Sequence, residues 1–176
     1  MIFVTVGMHE QPFDRLVEYM DNWAAEYEEE VFIQTGYSTY KPKTAKWKHT
    51  YSRQEIARAI DKARIVITHG GPASYISVIQ DGKIPIVVPR QKKFGEHVNN
   101  HQVYFSREVA KQQGNIIVVE DVSKLGDVIE NYDSLAAKIR RTMVPNNEQF
   151  CVGLEKIINN LVNNRDNDRE NNQVLK

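Results

Sequence analysis

The residues best equipped for chemistry in this chain lie between Ile65 and Gln102. His69-Gly70-Gly71-Pro72-Ala73-Ser74 follows the apolar run Ile65-Val66-Ile67-Thr68. Two glycines let backbone amides approach a ligand closely, and Pro72 suits the first position of a helix. The free amides and dipole of a helix N-terminus favour an anion such as a diphosphate. Ser74 adds a hydroxyl, and His69, at the strand exit, a ring that can donate to a phosphate oxygen. The same residues also make a plain strand-to-helix turn with a capping histidine, and glycine spacing alone does not separate the two.

A second group is Phe94-Gly95-Glu96-His97-Val98-Asn99-Asn100-His101-Gln102. A carboxylate, imidazoles and amides in sequence are what recognition of sugar hydroxyls uses: Glu96 can accept two such bonds, while His97, Asn100 and Gln102 donate or accept. The alternative is a polar helix N-terminus, with Glu96 serving the dipole. His97 and His101 at i, i+4 could hold zinc, but no third ligand is evident and Glu96 does not complete an H-E-x-x-H pattern. The expectation is therefore no metal. Gly7-Met8-His9-Glu10 offers a shorter turn after the first strand. His9 there is a general base, a phosphate donor or a loop residue. Arg90, Lys92 and Lys93 either balance phosphate charge or solvate their loop.

These groups need elements to position them. Apolar runs at residues 2–6, 31–34, 65–68, 84–88 and 116–119 read as strands, with a further short strand over 47–51. Helical spacing predicts helices over 12–27, 52–63, 72–81, 97–113, 122–130, 134–141 and 147–162. Ser52 with Glu55 three residues later is a capping-box pattern. Strands alternate with helices, so the expected fold is α/β: a Rossmann-like, open, mostly parallel sheet with helices on both faces. Ligands of such sheets bind beyond the carboxyl ends of the strands, where the turns after Val6, Thr68 and Val88 converge.

One domain over residues 1–164 is expected, with an Asn-, Asp- and Arg-rich disordered tail over 165–176. The chain carries 23 Lys plus Arg and 23 Asp plus Glu, a formal net charge of zero, which argues against a nucleic-acid binder. The start Met1-Ile2-Phe3-Val4-Thr5-Val6-Gly7 reads as a core strand and lacks the pattern of a signal peptide. The single cysteine, Cys151, leaves no intrachain disulfide or cysteine metal cluster, which fits a cytoplasmic setting. Lys41, Lys43, Lys46 and Lys48 surround Trp47, as a solvated edge or as a contact for an anionic partner.

Taken together, M-I-F-V-T-V-G-M-H-E-Q-P-F-D-R-L, H-G-G-P-A-S-Y-I-S and P-R-Q-K-K-F-G-E-H-V-N-N-H-Q resemble the glycosyltransferase family 28 C-terminal domain, and within it the PssE-type subunits of bacterial capsule and exopolysaccharide synthesis. The resemblance covers roughly residues 1–160. It implies the donor-binding half of a GT-B glycosyltransferase, a nucleotide-sugar donor that is usually UDP-linked, and inverting transfer without a metal or other cofactor. It further implies a hexosyltransferase, at family level a β-1,4-galactosyltransferase using UDP-galactose. The acceptor would be a lipid-linked sugar, bound by a separate membrane-anchored, PssD-like partner at the cytoplasmic face. By position, Gly7, Gly70, Gly71 and Ser74 would face the diphosphate with His69 at its border. Glu96 and His97 would meet the sugar, with Asn100 and Gln102 in support. Ser77 stands where many relatives carry a ribose-binding glutamate, which leaves the nucleotide open. Direct displacement also needs a base: the partner supplies it, or His9 does. The competing classes are a non-catalytic nucleotide-sugar-binding accessory protein and another phosphosugar enzyme on the same architecture.

Overall fold

The computed structural model describes residues 1–142 and residue 155. Residues 1–142 lie within one compact unit. The helix expected over 147–162, the boundary at 164 and the tail over 165–176 lie outside the described residues.

Six parallel strands form one sheet in the order β3-β2-β1-β4-β5-β6. They are β1 (Ile2–Thr5), β2 (Val31–Gln34), β3 (Lys46–Lys48), β4 (Ile65–His69), β5 (Ile86–Val88) and β6 (Ile117–Val118). The helices are α1 (Asp14–Glu26), α2 (Arg53–Lys62), α3 (Pro72–Gln80), α4 (His101–Gln113), α5 (Leu125–Glu130) and α6 (Tyr132–Thr142). Central β1 pairs with β2 on one side and β4 on the other, Thr5 lying opposite Gln34 and Thr68. The order of connection reverses between β1 and β4, and such a reversal opens a crevice at the carboxyl ends of the two strands.

Alternation within the strands sorts the core onto two faces. Ile2, Val4, Ile65 and Ile67 pack with Phe13, Leu16, Val17 and Met20 around α1 and with Leu125 and Ile129 of α5. Phe3 and Val66 point the other way, onto Ile60, Ala63 and Val78. Val87 packs there against Tyr75 and Val109. Both faces are covered, which is why the strands read as continuous apolar runs.

Two carboxylates on α1 hold the β2–β3 loop. Asp14 accepts from the amides of Thr39 (2.7 Å) and Tyr40 (2.9 Å). Asp21 accepts from the amides of Lys43, Thr44 and Ala45, each at 2.8 Å, and from the Tyr40 hydroxyl at 2.9 Å. Burial pushes the Asp21 pKa up, but the amides outweigh it and hold the carboxyl below its usual value. The lysine cluster sits on edge strand β3 and its flanking loop, where Lys46 pairs with Glu30 and Lys48 with Glu55. Ser52 and Glu55 form the expected capping box at the start of α2.

Several boundaries differ from the sequence reading. α1 opens at Asp14, two residues beyond Pro12, and the edge strand spans Lys46–Lys48, ending before residues 49–51. The largest difference is the helix expected over 97–113, which opens only at His101. The preceding residues fold back on the end of β5: Lys92–Phe94 form a 3-10 turn, the Glu96 amide donates to the Gln91 carbonyl, and Asn100 Oδ1 accepts from the Lys92 amide at 2.9 Å. These local bonds compete successfully with the helix.

Candidate active site

Three loops meet at the carboxyl edge of the sheet: those following β1, β4 and β5. The β4 turn is built around His69. A Cβ on Gly7 would lie 2.5 Å from His69 Cε1, and one on Gly71 would lie 2.3 Å from His69 Nε2. The imidazole therefore fills the gap between the two turns, and glycine is what leaves it room. Gly7 also holds φ at +73°, which glycine adopts without strain. Burial and the positive charge of Arg90 push the His69 pKa down to about 4, against the Thr5 carbonyl, which favours the cation. At neutral pH His69 is thus a neutral ring with a buried Nδ1 that has no hydrogen-bond partner.

α3 begins at Gly71 and Pro72, and no side chain caps it. The Ser74 amide turns back to the Gly71 carbonyl at 3.1 Å, and Ser74 itself lies one turn into the helix, half-buried. The Gly70 amide does not face a ligand as expected. It donates to Gln102 Oε1 at 3.0 Å, and the same oxygen accepts from the Arg90 amide at 3.1 Å. Gln102, expected to support a sugar, is buried and joins the β4 turn to the end of β5. The amides of Gly71 and Ala73 are the ones left at this helix start. Ser77 is exposed, and its hydroxyl donates to the Ala73 carbonyl of its own helix at 2.9 Å.

The sugar-facing assignment of Glu96 needs correction. Glu96 is 3% exposed, and its carboxylate forms a fork with Arg15, Nε to Oε1 at 2.8 Å and Nη2 to Oε2 at 3.0 Å. It also accepts from the Gln91 amide at 2.9 Å. A carboxylate so engaged organises the loop and has little left for hydroxyls. A cavity of about 580 Å³ opens beside this pair, lined by Pro12, Arg15, Tyr19, Phe94, Glu96 and Val122. His69, Gly71 and Ser74 do not line it, so it is separate from the β4 turn.

His97 and His9 stack face to face, ring centroids 4.7 Å apart. Burial, with His9, Arg90 and His101 nearby, holds His97 below its usual pKa despite a side-chain hydrogen bond with Asn99. Its Nδ1 accepts from the Asn99 backbone amide at 3.3 Å. His9 Nε2 is buried without a partner, a poor position for a base that must reach an acceptor hydroxyl. His97 lies before α4 and His101 stacks on Phe105, so the pair expected at i, i+4 does not share a helix. Among the described residues no group of three or more His, Cys, Asp and Glu is placed to hold a metal ion.

Arg90 and Arg15 are the residues that sequence reasoning missed or left open. Arg90 is neither a solvated loop residue nor a group that touches an open ligand site. It is 0% exposed, lies over the Phe13 ring at 4.8 Å, and donates to carbonyls of Val6, Gln11, Pro12 and Glu96. Arg15 donates to the Pro89 and Glu120 carbonyls besides its fork with Glu96. Lys92 and Lys93 are exposed.

A doubly wound parallel sheet with an uncapped helix start at its switch point defines a Rossmann-like α/β domain. Solved structures share the fold. The glycosyltransferase SnogD from Streptomyces nogalater is 15% identical with a TM-score of 0.54, over 82% of this chain and 40% of that one. The glycotransferase of kitacinnamycin is 12% identical with a TM-score of 0.59, over 79% and 37%. MurG of Acinetobacter baumannii is 19% identical with a TM-score of 0.53, over 86% and 48%. The chain thus spans less than half the length of each. Residues 1–113 match the glycosyltransferase family 28 C-terminal domain, and the chain belongs to that family. No curated protein matches it.

Proposed function

We propose that this domain is the donor-binding half of an inverting hexosyltransferase that takes a UDP-linked sugar. The observation that carries the reading is the uncapped start of α3 at Gly71 and Pro72, set at the switch point between β1 and β4 and faced by the Gly7 turn. Free amides and a helix dipole there suit a diphosphate, the group that must be stabilised as it leaves the anomeric carbon. The His9–His97 stack beside it would border the sugar.

The acceptor half is proposed to lie on a separate chain. His9 Nε2 is enclosed, so the base would come from that partner. Among the described residues no helix is long and apolar enough to cross a membrane. Docking at the cytoplasmic membrane face, with a lipid-linked sugar acceptor, is proposed to be the partner's task. UDP-galactose and a role in capsule or exopolysaccharide synthesis are the specific forms of this proposal.

A thermal-shift series with UDP, GDP and their sugars tests it, because a ligand that binds only the native state raises the melting temperature by mass action. UDP-sugars should stabilise the protein and GDP-sugars should not. No shift with any nucleoside diphosphate at millimolar concentration refutes the donor-site reading. Binding without transfer, even with the partner present, would leave a nucleotide-sugar-binding accessory protein.

A further inference from the structure

Arg90 is a fully buried cation whose charge is not locally cancelled. Its Nη1 donates to the carbonyls of Gln11 (2.7 Å), Pro12 (3.3 Å) and Glu96 (3.1 Å), and Nη2 to that of Val6 (2.8 Å). Carbonyl dipoles satisfy donors but carry no formal charge. The nearby carboxylate of Glu96 is already engaged by Arg15. Arg15 (+1), Arg90 (+1) and Glu96 (−1) therefore sum to +1, with side chains 16%, 0% and 3% exposed. Burying an uncompensated cation is costly, and a clamp on carbonyls needs donors, not charge. The Arg90 Nε is buried without a partner as well.

The place of this charge is specific. Val6, one of its acceptors, immediately precedes Gly7, and the Arg90 amide shares Gln102 Oε1 with the Gly70 amide. We propose that Arg90 is an electrostatic positioning residue for the diphosphate: a positive charge held behind the Gly7 and Gly70–Gly71 turns that favours the anion without touching it. The inference rests on the donor-site reading above. The histidines at the same edge already feel this field, since Arg90 is among the causes that lower the pKa of both His69 and His97. Low local dielectric is what lets a charge behind the backbone act on a ligand in front of it.

The experiment is calorimetric binding of UDP, UMP and uridine to the wild type and to Arg90→Lys, Arg90→Gln and Glu96→Gln. R90Q should lose UDP affinity about tenfold or more, UMP affinity less, and uridine affinity hardly at all. R90K, which keeps the charge, should hold the UDP-to-uridine ratio within about threefold. E96Q removes the negative member, so that ratio should rise, the opposite of what a structural lesion does. If R90Q does not fold, E96Q decides alone: an unchanged or lower ratio overturns the proposal. Equal losses of UDP, UMP and uridine in R90K and R90Q make Arg90 a clamp only and overturn it too. A wild type that binds UDP no tighter than uridine sinks the donor-site reading instead. NMR titration without ligand separates the two failures, because R90Q should raise the His97 titration point, and a stationary one overturns the electrostatic claim whatever binds.

Discussion

Replacing Arg15 with methionine should destabilise the domain through a group 81 positions away in sequence. The substitution keeps most of the side chain's apolar bulk and removes both charged bonds to Glu96. Breaking a buried ion pair on one side costs roughly 3–5 kcal/mol, and Arg15, at 16% exposure, places the expected loss near the lower end, about 3 kcal/mol. With a urea slope of about 2 kcal/mol per molar, the denaturation midpoint should fall by about 1.5 M. Glu96→Gln keeps an acceptor for Arg15 but removes the counter-charge, and should cost about 2 kcal/mol. The double variant R15M/E96Q buries no unpaired charge at this pair and should also cost only about 2 kcal/mol. The singles then exceed the double by about 3 kcal/mol, a coupling that a double-mutant cycle measures directly. Losses that add within about 0.5 kcal/mol would refute the reasoning, because the fork would then contribute nothing as a pair.

Two further outcomes follow from His69 and its glycines. Gly71→Ala should cost about 1–3 kcal/mol, since the new Cβ meets the imidazole at 2.3 Å, and adding His69→Ala should recover much of the loss by urea denaturation. Stability should also fall on acidification. His69 has its folded pKa lowered to about 4 from an ordinary value of 6.5, so its contribution is complete above pH 6.5 and fades as pH drops towards 4. By linkage this amounts to about 2 kcal/mol lost between pH 7.5 and pH 5, and His69→Gln should flatten that slope.

The architecture was legible because its causes are local. Ile65 to Ile67 is apolar throughout since both faces of β4 are covered, and the Ser52–Glu55 cap declares the start of α2 within a few residues. The convergence of the Gly7 and His69 turns followed from the strand alternation. The tasks of individual polar residues were not legible, because their partners come from far along the chain. Arg90 follows Pro89 in a basic-looking loop, yet three of its acceptors lie 78 to 84 positions away. Glu96 looks like a free carboxylate until α1 brings Arg15 to it. Gly70 and Gly71 look shaped for a ligand alone, whereas Gln102 and His69 already require the space. The one available signal for Arg90 was its place directly after a fully buried strand.

The oxygen of Gln102 that accepts from both Gly70 and Arg90 has a consequence for motion. One side-chain rotation releases two amides on different strands' exits at once, so their exchange with solvent deuterium should report a single opening event rather than two. That makes the Gly70 and Arg90 amides a matched pair of clocks for the contact between the β4 turn and the β5 loop. Ligand that slows one must slow the other, while ligand that leaves their rates unequal has broken the shared contact.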